Sequence, residues 1–103
     1  MSAKYVLTAA AEADVRALIR YTRAKWGETQ TRKYVATLER GMARLAAGEG
    51  HFKDTSALYP MLRMVRCEHH YLFCLPRDDE PALFVAILHE QMDFMVRISE
   101  RLS

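Results

Sequence analysis

Two runs constrain this chain more than any others, Tyr71-Leu72-Phe73-Cys74-Leu75 and Ala82-Leu83-Phe84-Val85-Ala86-Ile87-Leu88. Both read as strands that are apolar throughout, without the alternation of a strand that keeps one face in water. The short charged link Arg77-Asp78-Asp79-Glu80-Pro81 between them requires an antiparallel pair. A sheet built on these strands has two faces to cover. One can rest on helices; the other needs either the C-terminal segment of the chain or a layer supplied by a partner protein.

The rest of the chain supplies elements to match. Lys4-Tyr5-Val6-Leu7 reads as a first strand, and Thr8 as the N-cap of a helix that opens with Glu12 and Asp14. Val15, Leu18, Ile19, Thr22 and Trp26 fall at helical spacing, and Gly27 ends the helix. Tyr34, Val35, Leu38, Met42 and Leu45 form a second stripe, ended by Gly48-Glu49-Gly50. Two helices joined so tightly form an αα-hairpin, about residues 9–47. A polar loop leads to a strand at Leu62–Cys67, which completes a meander over about 62–88 with the two apolar runs. The segment from about 89 to 103 opens on His89-Glu90-Gln91-Met92-Asp93 and continues as a final helix from Met92 to Leu102. The expected fold is α+β, ordered β-α-α-β-β-β-(α), an antiparallel sheet packed on an αα-hairpin. Trp26, at the last turn before glycine, is expected to anchor the hairpin to the sheet.

Length and charge narrow the function classes. The 103 residues allow one domain, with 15 basic side chains against 13 acidic for a net charge of +2. So weak a field argues against tight electrostatic binding of nucleic acid. Cys67 and Cys74 have no metal or redox spacing and are expected to be reduced core thiols. The N-terminus lacks an apolar signal core and no run approaches the ~20 residues that span a bilayer, so a cytoplasmic protein without a membrane partner is expected.

Few residues offer chemistry. His69 and His70 are adjacent on a strand and point to opposite faces, and no His/Cys spacing fits zinc, so neither a metal nor a cofactor is expected. No activated nucleophile or glycine-rich phosphate loop is present. A metal-free ribonuclease needs a base, an acid and cations for the phosphate. Arg63, Arg66 and His89, with Lys53 and Glu90 nearby in kind, are the residues such an enzyme would use. Each also has a structural reading, as a paired strand arginine or a strand-ending histidine. From His89 onward, Arg97 and Arg101 face Glu90, Asp93 and Glu100, a net of −1 and a poor surface for RNA.

The order of elements, together with Leu7-Thr8, Tyr21-Thr22, Trp26-Gly27, Tyr34 with Leu38, Leu58, Leu62-Arg63, Arg66, His70 and Ile87-Leu88-His89-x-x-Met92-Asp93, resembles the RelE/ParE superfamily of bacterial toxins, and its ParE branch most. The resemblance spans nearly the whole chain. It implies the toxin of a type II toxin–antitoxin system, a non-enzymatic inhibitor of DNA gyrase held in a hetero-oligomer by a ParD-like antitoxin. Under it, His89, Glu90, Gln91, Met92, Asp93, Arg97 and Arg101 are candidates for the gyrase contact. Tyr21, Trp26, Tyr34 and Leu38 are candidates for the antitoxin contact, or else internal core. The RelE branch implies instead a ribosome-dependent messenger-RNA endoribonuclease, with Arg63, Arg66 and His89 in its site. Glu68-His69 stands where the family more often has Gly-Arg, and Gln91 where Arg is common. Both departures remove positive charge, which leaves a degenerate, non-toxic member as a third reading.

Overall fold

The computed structural model describes residues 5–102, so the expected strand residue Lys4 and the terminal Ser103 lie outside the described residues. The elements are β1 (Tyr5–Leu7), α1 (Ala9–Trp26), α2 (Glu28–Ala47), β2 (Lys53–Asp54), β3 (Arg63–Cys67), β4 (His70–Leu75), β5 (Ala82–His89) and α3 (Phe94–Leu102). The strands form one sheet in the order β1-β5-β4-β3-β2, with β1 parallel to β5 and every other neighbour antiparallel. This is the α+β arrangement the sequence implies.

Local chemistry explains the helical hairpin. The Thr8 hydroxyl accepts the Ala11 N–H at 3.1 Å, and the Thr8 amide donates to the Phe84 carbonyl, so one residue ends β1 on the sheet and caps α1. Gly27 serves both helices at once. Its N–H donates to the Arg23 carbonyl and its own carbonyl accepts from Thr31, at φ +88°, a backbone conformation that a side chain would strain. The chain therefore reverses through a single residue.

The sheet is covered on both faces. Leu18, Leu38, Met42 and Leu45 of the hairpin pack on Leu72, Cys74, Phe84 and Ile87. On the opposite face, Ile98 of α3, flanked by Phe94 and Leu102, packs with Leu62, Met64, Phe73, Val85 and Leu88. Ile98 is only 1% exposed, a burial that contributes roughly 1.5–3 kcal/mol. The cover for the second face thus comes from the chain's own C-terminal helix, and no partner is required to complete the core.

Three expectations are corrected. Trp26 is no core anchor: it lies 63% exposed in the last turn of α1, past Thr22, the last buried residue of that helix. The polar loop contains a two-residue edge strand, β2, which pairs Lys53 with Met64 and Asp54 with Arg63; its charged residues carry no apolar strand signal. Helix α3 begins at Phe94 rather than Met92, since Asp93 precedes it and its carboxylate receives the Val96 N–H at 3.4 Å.

Candidate functional site

The polar groups that carry the sequence signal gather at one end of the sheet, where β3 turns into β4 and β5 runs out. Cys67 pairs with His70 across that turn, and His70 pairs with His89 on β5. Glu68, at φ +56°, makes the turn tight. The Glu90 amide then donates to the His69 carbonyl at 2.8 Å, which ties the elbow after β5 to the β3–β4 turn.

Two clusters result. Facing the helical hairpin, the Tyr34 hydroxyl lies 2.6 Å from His70 Nδ1 and accepts the His69 N–H at 3.1 Å. The His70 and His89 rings meet edge to face with centroids 5.3 Å apart. Burial, and then the neighbouring His89 and His69, push the His70 pKa down to about 4, so this imidazole is neutral at physiological pH. Burial also raises the Tyr34 hydroxyl above its ordinary value. His89 Nδ1 accepts the Gln91 N–H at 3.1 Å, which closes the elbow on itself. The second cluster is polar and open: Glu90 bonds His69 Nδ1 at 2.8 Å through one oxygen and pairs with Arg66 through the other. The hydrogen bond from His69 holds the Glu90 carboxyl below the usual carboxylate range, assisted by Arg66 and opposed by burial.

The ribonuclease candidates do not converge. Arg63 opens β3 at its far end, donates to the Leu45 carbonyl at 3.1 Å and lies over the Phe52 ring at 5.0 Å. Arg66 sits at the near end, one position out of step and so on the other face of the sheet, paired with Glu90. His89 faces the hairpin beside His70. Lys53 is on the edge strand β2. Among the described residues no group of three or more His, Cys, Asp or Glu side chains could hold a metal ion. Cys74 is buried, its thiol pushed up to about 11 by that burial, and Cys67 is half-buried and likewise raised. Neither is positioned as a nucleophile.

The remaining candidates divide by exposure. Gln91, Met92, Asp93 and Arg97 are exposed around the elbow and α3, together with Met95 and Val96. Arg101 is not among them: its guanidinium is bonded to Asp14 and to the Val85 carbonyl. Tyr21 and Trp26 are 60% and 63% exposed on α1, with the Lys25 ammonium 5.6 Å and 5.7 Å from their ring centroids. Leu38 belongs to the core and Tyr34 is half-buried against His70. Sequence reasoning overlooked Asp14 and the His69–Glu90 pair. Both join residues far apart in the chain, and no spacing rule would have found them. Among the described residues, no helix is long and apolar enough to cross a membrane.

The likenesses to known proteins agree with this geometry. The family model for the ParE toxin of the type II toxin–antitoxin system parDE matches residues 5–94. A Toxin ParE of Escherichia coli is 68% identical over 98 residues, covering 95% of each chain. Toxin ParE1 of Mycobacterium tuberculosis is 28% identical over 93 residues, 90% of this chain and 95% of that protein. A solved structure of the chromosomal ParDE TA system from P. aeruginosa superposes with a TM-score of 0.68 at 18% identity, over 84% of this chain and 95% of that one, and shares the fold. A family model that matches residues 5–94 and a relative 68% identical over 95% of both chains establish the conclusion: this chain belongs to the ParE family of toxins of type II toxin–antitoxin systems.

Proposed function

We propose that this chain arrests growth by binding DNA gyrase and holding it in its cleaved-DNA state, and that a ParD-like antitoxin neutralises it. It acts by contact, without catalysis of its own, in the cytoplasm where gyrase and DNA meet. The observation that carries this reading is the fate of its cations. Arg63 is bonded to a main-chain carbonyl, Arg66 is paired with Glu90 on the opposite face, and His89 packs against His70, so the residues an RNA-cleaving site would use do not converge on one phosphate. What stays available is a contact surface, the exposed elbow with Met92, Met95, Val96 and Arg97.

The antitoxin reading rests on α1. Tyr21 and Trp26 are large, exposed and of the residue types that dominate binding energy at interfaces. Arg16 and Arg20, exposed on the same helix, make no ion pair among the described residues. An amphipathic antitoxin segment with carboxylates beside its apolar anchors fits such a face.

The decisive experiment adds the purified protein to gyrase and supercoiled plasmid and traps covalent complexes with detergent. Linear DNA that rises with toxin concentration, and falls when the antitoxin is added, is the expected result. Absence of cleavage complexes, with new 5′ ends within the codons of messages from expressing cells, would instead establish the endoribonuclease. Neither effect, in a strain that grows normally, would mark a member that no longer harms its host.

A further inference from the structure

We propose that Asp14 and Arg101 form a clamp that seats α3 on the sheet and thereby positions the elbow and α3 for the target. The inference rests on the gyrase reading above for the identity of that target, and on geometry alone for the clamp.

The clamp arises from a defect in the sheet. In the pairing of β4 with β5, Phe73 lies opposite Ala86 and Cys74 opposite Phe84, so Val85 is an extra residue, a β-bulge. On its other side, β5 loses its neighbour at the same place. The parallel partner β1 stops at Leu7, opposite Phe84, and the chain leaves for α1. The main chain of Val85–Ile87 is thus left at an open edge, and buried peptide groups there require partners. Side chains supply them. The Ile87 N–H donates to Asp14 Oδ2 at 2.9 Å, and Arg101 Nη1 donates to the Val85 carbonyl at 2.9 Å. The two side chains also bond each other twice at 2.8 Å, Nη1 to Oδ2 and Nη2 to Oδ1, in the forked geometry that matches guanidinium to carboxylate. Both are largely sheltered from water.

Three elements meet at this point: α1 through Asp14, β5 through its bulge, and α3 through Arg101. The other end of α3 is held by Phe94, whose ring lies 5.3 Å and 5.5 Å from those of Tyr71 and Phe73. Between the two mounts Ile98 is buried, while Met95 and Val96 face outward. A nine-residue helix is too short to hold itself together in water, so its orientation depends on these mounts. Arg101 is therefore a positioning residue and not a contact, although it lies in the segment that supplies the contact.

The test uses the full chain with R101M, which removes the guanidinium and leaves Asp14 to accept from Ile87, and with R101K, which keeps the charge but not the fork. Amide exchange in α3 of R101M should approach the rate of unprotected amides, α3 being unseated in most molecules, while the sheet interior exchanges far more slowly than α3. In the gyrase cleavage assay the concentration for half-maximal effect should rise about tenfold with an unchanged plateau, the signature of a smaller seated fraction and not of a damaged surface. R101K should fall between. An α3 that keeps most of its protection in R101M overturns the clamp, and lost α3 protection with an unchanged half-maximal concentration overturns its positioning role. A wild-type protein that yields no cleavage complexes refutes the gyrase reading, and the exchange measurement then decides the clamp by itself.

Discussion

The Tyr34 hydroxyl lies 2.6 Å from Nδ1 of His70, joining α2 to the first residue of β4 across 36 positions of sequence. His70 is nearly inaccessible to water, and it titrates in the folded protein near 4 instead of 6.5. Its environment holds His89 and His69, which oppose a further proton, and Glu90 and Asp14, which favour one too weakly to compensate for burial.

The consequence is a pH-dependent stability of known sign. Between pH 6.5 and about 4 the unfolded chain binds a proton at His70 that the folded one does not. The stabilisation from a neutral His70 is complete above pH 6.5, falls as the pH drops toward 4 and changes no further below that. The difference in pKa corresponds to on the order of 3 kcal/mol. Urea unfolding at a series of pH values measures it, and H70Q should flatten the slope in this window.

Removing the hydroxyl alone separates the hydrogen bonds from the ring packing. In Tyr34→Phe, the His69 N–H and His70 Nδ1 both lose a partner, while the aromatic contact to His70 remains. A cost of about 1–3 kcal/mol is expected in equilibrium unfolding, without change of fold.

Gly41 lies inside α2, where glycine is unfavourable to the helix, and it faces β3 and β4. A Cβ there would stand 3.0 Å from Cys67 Sγ and 3.3 Å from Leu72 Cδ1. Overpacking of about 1–3 kcal/mol is opposed by the roughly 1 kcal/mol that Ala gains over Gly inside a helix, so G41A should destabilise the protein by no more than about 2 kcal/mol. C67A removes the nearer obstacle, so G41A in that background should cost less by at least about 0.5 kcal/mol. A double-mutant cycle in thermal unfolding gives the coupling.

The two stripes on the hairpin look alike in the sequence but should respond in opposite ways. L38A empties a core site that is 3% exposed and should cost about 2–5 kcal/mol of stability. W26A truncates a side chain that mostly faces water and should change stability by no more than about 0.5 kcal/mol. If Trp26 anchors the antitoxin, its loss should weaken that complex by about 2 kcal/mol or more. Calorimetric titration beside a melting curve distinguishes the two effects.

These contrasts show what the sequence could and could not reveal. The apolar runs of β4 and β5 and the capping residues Thr8 and Gly27 act through neighbours in the chain, so the hairpin and the meander were legible. Trp26 departs from its expected place because periodicity gives the face of a helix but not where along it burial ends. Strand β2 is polar and exists only because β3 offers an edge. At the candidate site, the elbow was visible as a break in an apolar run. Its partners were not: Arg66 and His69 reach Glu90 from more than twenty residues away, and Asp14 reaches Arg101 from 87.

The covering role of α3 also decides how the proposed target surface has to be probed. Deleting the segment from Met95 onward would appear to separate target binding from the rest of the molecule. It would also remove Ile98 and Leu102, uncovering Phe73, Val85 and Leu88, so loss of toxicity would report unfolding as readily as lost contact. Point substitutions avoid this. Met95 and Val96 are 58% and 53% exposed and lie beside the exposed elbow residue Met92. Met95→Ala with Val96→Ala, both changes favourable or neutral to the helix, should shift stability by no more than about 0.5 kcal/mol. If these side chains meet gyrase, the double variant should need at least tenfold more protein to give the same amount of cleaved DNA, with antitoxin affinity unchanged. Equal potency at equal stability would move the gyrase contact away from α3 and leave the elbow residues His89 to Asp93 to account for it.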